Sequence, residues 1–416
     1  MKSFLKNYEE KCDDYSVRPK KRLVSDLTEL ANLDEVTQHL ILNGNCVAQF
    51  NDRIGDIELF PLCEVLEKDF QMTSLDLSYN NIGNHGAEAV SRMLKVNKAL
   101  RHLSLRSNNI TDQGAKSIAN ALTENRSLLS LDLSENAIED KGGLVIAQSL
   151  QENTNLRVLN INSTELKTSS IVALAVVARN HPSLQVLRIA KPLLHSLREE
   201  TTVHLNEMLR INKCLVTLDI SNHGIRDEGI TILTEALMHN STLTKLVLAS
   251  NSIAIDGGVA LAKYLTTKKC TLKVLNLNSN RIDNVGGAEL ALALRTNKTL
   301  KSLNIMSNNI GDDSLFEIAK SLSHYNTSLK KIRILNNKFN QKCLSLLYDY
   351  IKSEGSIKID ITVDKVDDTF YVAQKRDCIK PDPTVNTTTT QIDKIEKLLG
   401  TSQQSSAMRV IRARQY

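Results

Sequence analysis

The chain has 416 residues, a formal net charge of +5, 41% hydrophobic residues, 4% aromatics and no tryptophan. So small a positive balance over such a length argues against nucleic acid as the partner, and the longest apolar run, residues 171–178, is far short of the roughly 20 residues that span a bilayer. Seven scattered cysteines, an odd number, and an N-terminus without an apolar signal core point to a reducing, cytoplasmic setting.

From the start of the chain, residues 3–17 read as a charged helical arm with Phe4, Leu5, Tyr8 and Cys12 on one face, ended at Pro19. Leu23 to Leu33 reads as a second helix. A divergent first repeat follows at Leu40-Ile-Leu42-Asn-Gly-Asn45, with an enlarged loop to Gly55. Divergence is expected there, because a terminal unit must hide an open core and an exposed strand edge.

From Met72 to about Phe339 one sentence recurs, best spelled at Leu100-Arg-His-Leu103-Ser-Leu105-Arg-Ser-Asn108-Asn-Ile110-Thr-Asp-Gln-Gly114. Its frames start at Met72, Leu100, Leu128, Leu156, Leu184, Leu215, Leu243, Leu272, Leu300 and Leu329, 28 or 29 residues apart except for 31 after Leu184. Leucines alternating with polar residues predict a short strand with one buried side. The asparagine amide, donor and acceptor at once, can satisfy the backbone where the strand ends. The glycine sits where the loop turns into a helix, whose apolar residues, such as Ile118, Ala119 and Leu122, fall at helical spacing. One such unit cannot bury its apolar face alone, and stacking does so. The expected fold is α/β: a horseshoe of about eleven repeats, parallel sheet inside, helices outside.

The turn position holds Asn80, Asn108 and Asn136, then Thr164, Pro192 and His223, then Asn251, Asn280 and Asn308. The asparagine ladder should therefore break in the middle, where the long unit carries Ala190-Lys-Pro-Leu-Leu-His195. Leu329 to Asn337 is the last clear frame, a helix is expected over Gln341 to Lys352, and Ile357-Lys-Ile359-Asp-Ile361 predicts a closing strand. Pro381-Asp-Pro383 and Thr387–Thr390 are linker-like. The domains are thus an arm (1–35), the repeats (36–354), a cap strand (355–380) and a flexible tail (381–416).

These frames resemble the leucine-rich repeat, in the long-repeat class of ribonuclease inhibitor, Ran GTPase-activating protein and NOD-like receptors. The resemblance implies the fold and says little of function. The short arm, the repeats and the small tail, together with Tyr8-Glu-Glu-Lys-Cys12, Pro19 and Leu40–Asn45, are similar to stand-alone long-repeat proteins of motile cilia and testis. That likeness implies a structural subunit of an axonemal assembly such as a radial spoke or dynein-regulatory complex. The alternative is a Ran-type small-GTPase activator, although that family's acidic run after the repeats is missing here.

By the strand frame, the inner face carries Asp76, Ser104, Asp132, Asn160, Arg188, Asp219, Val247, Asn276, Asn304 and Arg333, with Arg106 in the row beyond. These are mostly small, hydrogen-bonding side chains without an aromatic anchor; Tyr79 at the rim comes nearest. They suit a helix or extended protein segment held by shape and many hydrogen bonds. The break in the repeat adds Lys191, Pro192 and His195 as candidate protein-binding residues. A competing reading leaves the inner face solvated and binds partners through the helices or the tails. No phosphate loop, H-E-x-x-H or G-x-S-x-G occurs in the sequence, and Cys46 and Cys63, the closest cysteines, lack zinc-ligand spacing. A non-enzymatic adaptor without cofactor or metal is therefore expected, with a protein partner and no membrane or nucleic-acid target.

Overall fold

The computed structural model describes residues 2–32, 38–45, 52–194, 200–353 and 355–375. Most of the enlarged loop after Asn45, His195 and the tail from residue 381 lie outside the described residues. The chain divides into two compact units.

The first unit opens with α1 (Lys2–Asp14) and α2 (Lys21–Asn32). Phe4, Tyr8 and Cys12 of α1 are buried, while Leu5 is only half-buried. The arm is fastened to α3 (Asp56–Glu67): the Tyr15 and Phe60 rings lie 5.9 Å apart, Lys11 Nζ is 3.0 Å from Glu64 Oε2, and the Tyr15 hydroxyl donates to Glu64. Strands and helices then alternate: β1 (His39–Ile41), α3, β2 (Ser74–Asp76), α4 (Asn84–Val96), β3 (His102–Ser104), α5 (Asp112–Glu124), β4 (Ser130–Asp132), α6 (Glu139–Glu152), β5 (Val158–Asn160) and α7 (Thr168–Asn180). Each strand up to β5 pairs in parallel with the next, in register: Leu40, Leu75, Leu103, Leu131 and Leu159 form one row. That row is buried, as are the leucines two residues on, and the helices close over them with residues such as Ile118 and Leu122.

The second unit holds β6 (Val186–Arg188), α8 (Glu200–Ile211), β7 (Thr217–Asp219), α9 (Asp227–Leu237), β8 (Lys245–Val247), α10 (Ile255–Thr266), β9 (Val274–Asn276), α11 (Asp283–Thr296), β10 (Ser302–Asn304), α12 (Asp312–His324), β11 (Lys331–Arg333), α13 (Gln341–Lys352) and β12 (Lys358–Ile359). β6 to β12 are again parallel and paired in sequence order. A hairpin, β13 (Ile361–Val366) and β14 (Thr369–Gln374), follows. Where the sequence suggested one closing strand over 357–361, the structure makes a two-residue strand and a separate hairpin, divided at Asp360. The hairpin is seated on α13. The Tyr348 and Phe370 rings lie 5.5 Å apart, and the Gln341 amide both accepts from the Phe370 N–H (2.6 Å) and donates to its carbonyl (2.9 Å).

The strands are only three residues long because a turn must follow at once. The residue before each turn asparagine is left-handed: Tyr79, Ser107, Glu135, Ser250, Ser279, Ser307 and Asn336 have φ between 51° and 60°. This uncommon backbone state swings the next side chain back into the stack. Asn108 Nδ2 donates to the Leu77 and Leu105 carbonyls (2.9 and 3.0 Å), and its Oδ1 accepts from Ile82 N–H (3.0 Å). Asn136 repeats this one rung on, and Asn251, Asn280 and Asn337 do so in the second unit. At the irregular positions Thr164 Oγ1 reaches only its own unit's Ile161 carbonyl (2.7 Å), while His223 Nε2 donates to the Ile189 carbonyl (2.9 Å) of the neighbouring rung.

A second ladder runs where helices end. Asn125 Nδ2 donates to the Leu94 and Asn97 carbonyls (2.6 and 3.3 Å), and its Oδ1 accepts from the Ser127 and Leu128 N–H groups (2.9 and 2.8 Å). Asn97, Asn153, Asn240 and Asn326 make the same pattern, as does Asn297 with the Leu265 carbonyl. His181 substitutes in one rung: Nε2 donates to the Asn153 carbonyl and Nδ1 accepts from Leu184 N–H. The glycine of the frame does not make the turn. Gly114 lies inside α5, where a Cβ would stand 2.7 Å from Ile110 Cγ2 and 3.0 Å from Ala87 Cβ. Its smallness lets neighbouring helices approach.

Two predictions follow from the ladders. Asn125→Ala strands two carbonyls and two N–H groups in the interior, each costing about 1–3 kcal/mol; urea denaturation should show a loss of at least about 3 kcal/mol, and near-neutrality would show that water takes over the bonds. His223 is held neutral because burial pushes its pKa down to about 4, against the opposing pull of the Ile189 carbonyl and Asp219. Below pH 6.5 the unfolded chain takes up a proton that the folded one refuses, so stability falls as pH drops from 6.5 towards 4. His223→Asn should make the slope of stability against pH shallower by about 1.4 kcal/mol per pH unit between those values, measured by urea melts at a series of pH values.

Candidate functional site

Four of the inner-row residues are the last residues of their strands in the first unit. Asp76, Ser104, Asp132 and Asn160 pair in sequence across β2 to β5. In the second unit Arg188, Asp219, Val247, Asn276, Asn304 and Arg333 form the equivalent row across β6 to β11. Each unit thus brings its own candidates together on one sheet face. Arg106, two residues beyond Ser104, lies in the next row.

The acids and amides of these rows are not simply turned towards a guest. Asp76 Oδ1 accepts from Ser78 N–H (3.0 Å), Asp132 Oδ1 from the N–H and hydroxyl of Ser134 (2.9 and 2.6 Å), and Asp219 Oδ1 from those of Ser221 (3.1 and 2.7 Å). Asn276 and Asn304 accept likewise from the N–H of Asn278 and Met306. Each is a local turn that fastens the strand exit. Asn160 Nδ2 also donates to Asp132 Oδ2 at 2.9 Å, which ties two rungs together. Asp76 and Asn160 are buried, at 0% and 7% exposure, whereas Ser104, Asp132, Arg188, Asp219, Asn276, Asn304 and Arg333 are half-buried. In both units the acids and amides of the row fasten the strand exits, and the second unit adds the long, half-buried side chains of Arg188 and Arg333.

At the rim of the first unit, Arg106 is stacked 5.2 Å from the Tyr79 ring centroid and ion-paired to Glu135, which also accepts from the Ser107 hydroxyl. Burial works against the guanidinium's charge, but the Glu135 carboxylate outweighs it and raises the pKa further. His39 and His102 flank Ser74 in the row one step towards the strand start. Burial, reinforced by His39 and Arg101, pushes the His102 pKa down to about 4.

In the irregular segment, Lys191 is exposed and left-handed (φ 60°), and its N–H donates to the Ser221 carbonyl at 2.9 Å. Pro192 is buried in the place of a ladder asparagine, and Leu193 is 45% exposed. His195 lies outside the described residues. Among the described residues, no cluster of three or more His, Cys, Asp or Glu side chains could hold a metal, and no helix is long and apolar enough to cross a membrane.

The Leucine Rich repeat family model matches residues 71–91, 96–119, 124–147, 212–231, 239–262, 268–291 and 296–319. It passes over residues 148–211, which hold Thr164, His181 and Pro192 in place of ladder asparagines, and it matches the segment that holds His223. No curated protein matches the chain. Among solved structures, an internalin from Listeria monocytogenes is 18% identical over 80% of this chain and 94% of its own, with a TM-score of 0.44. Leiomodin-1 actin-binding site 2 is 26% identical over 38% of this chain and 88% of its own (TM-score 0.32). The tropomodulin C-terminal domain of Caenorhabditis elegans is 13% identical over 37% and 89% (TM-score 0.30). The in-register parallel strands, the alternating helices and the seven matched segments together make this chain a leucine-rich-repeat α/β solenoid.

Proposed function

We propose that the chain is a non-enzymatic protein-interaction scaffold whose docking surface is the sheet face of the second unit. The observation that carries this reading is the row Arg188–Asp219–Val247–Asn276–Asn304–Arg333. Six paired strands set these side chains about 4.8 Å apart, which gives a track with a cation at each end and polar residues between, interrupted by the buried Val247. A helix or an extended segment carrying acids at both ends fits it, held by many moderate contacts. Lys191 and Pro192 extend the track at its first strand. In the first unit Ser104, Arg106 and Asp132 are the partly solvated members, and the buried Asp76 and Asn160 support them. A structural subunit of an axonemal assembly is the finer reading, supported by the resemblance of the opening segment.

Alanine replacement of Lys191–Leu194, with Arg188→Ala and Arg333→Ala in a second variant, should reduce partner recovery in affinity capture from the native source, read by quantitative mass spectrometry. Thermal unfolding should stay within a few degrees of the parent. Undiminished recovery with both variants would remove this face from consideration. In a multiple-turnover GTP hydrolysis assay against a panel of small GTPases, the chain should leave every intrinsic rate unchanged; stimulation of any one would replace the scaffold reading with a GTPase-activating one.

A further inference from the structure

The side of the second unit on which loops run into strands carries a file of lysines. Lys273, Lys301 and Lys330 each stand one residue ahead of β9, β10 and β11. They are consecutive rungs: the Lys301 N–H donates to the Lys273 carbonyl, and the Lys330 N–H to the Lys301 carbonyl, both at 2.8 Å. One residue further along, Lys331 of β11 pairs with Lys358 of β12. Lys268, Lys269 and Lys298 lie in the loops that feed β9 and β10. All of these except the half-buried Lys331 are exposed.

Neighbouring strands are about 4.8 Å apart, so like charges recur at that interval at one repeat position. Residues 267–276, 296–304 and 326–335 contain no Asp or Glu, and Asp360, two residues beyond Lys358, is buried with its carboxylate accepting from Ile334 N–H. Among the described residues, no ion pair engages any of these lysines. The first unit differs at the same repeat position, which holds Thr73, Arg101, Leu129 and Arg157. There the Arg101 guanidinium is turned inward onto the Lys98 and Ser127 carbonyls (3.1 and 2.9 Å), and nearby Lys95 is paired with Glu124.

We propose that this file is a docking strip for an acidic, extended polypeptide segment of a partner protein. Uncompensated cations in a row raise the local concentration of a polyanion and speed its capture. The chemistry favours carboxylates over nucleic acid, because single strands bind through rings on which bases stack. Of the rings beside these segments, Tyr264 is buried with its hydroxyl accepting from Thr271 N–H, the Tyr350 hydroxyl accepts from Ile357 N–H, and Tyr325 carries the Arg295 guanidinium 5.1 Å from its centroid. The strip lies outside the row that carries the scaffold reading, and either can fail without the other.

The test uses the full chain and a fluorescein-labelled deca-glutamate peptide, read by anisotropy at low and at physiological salt. Binding should be measurable at low salt and weaken steeply as salt is added. The triple variant Lys273→Gln, Lys301→Gln, Lys330→Gln should lose at least about tenfold in affinity with unchanged thermal unfolding. A control that removes equal charge from the first unit, Lys116→Gln, Lys141→Gln, Lys167→Gln, should bind as the parent does. Failure of the parent to bind, an equal loss in the control, or tighter binding of single-stranded oligo-dT of matched charge would each overturn the proposal.

Discussion

The structure depends on how a stack of parallel three-residue strands settles its loose backbone groups. A strand that stops after three residues leaves N–H and C=O groups inside the protein at both of its ends, and each costs free energy unless paired. Water cannot reach them without opening the core. Asparagine solves this at both ends, because one planar amide can donate to two carbonyls and accept from an N–H across the gap between rungs. The leucine rows supply the hydrophobic drive, but leucines alone would not fix which rung sits on which. The amides do, because each joins its own turn to its neighbour's.

The two ladders were not equally legible. The strand-exit asparagines stand out because they follow the leucine pattern at a fixed offset. The helix-exit set, Asn97, Asn125, Asn153, Asn212, Asn240, Asn297 and Asn326, lies three residues ahead of a frame leucine and is as regular, yet it reads as ordinary loop polarity until the carbonyls it reaches are seen. His181 holds the same offset and hides there as an isolated histidine. Periodicity reported the fold faithfully because every rung repeats the same packing problem. Size at the glycine was harder to interpret: the sequence suggests a turn, and the geometry shows a contact between helices.

The inner face was legible in position and less so in role. The frame places Asp76, Asp132 and Asp219 on the inner face; each ends its strand, but Asp76 is buried while Asp132 and Asp219 are half-buried. What the frame could not convey is that an Asp or Asn followed two residues later by a Ser or another hydrogen-bonding partner folds back on its own strand exit. The Asp-Leu-Ser and Asp-Ile-Ser triplets at 76–78, 132–134 and 219–221 were the available signal. Such side chains shape the surface before they meet a partner, and they leave the arginines at the ends of the second unit's row as the adaptable members.

The Gln341 amide that closes on the Phe370 peptide group has a consequence for how copies of this molecule behave together. A hairpin at the end of a stack of strands is a template on which a stray chain could grow. By filling the donor and acceptor of Phe370, the second residue of β14, one side chain interrupts that template at the start of the strand. Uncontrolled end-to-end polymerisation is thereby discouraged at a location where the repeating architecture would otherwise invite it.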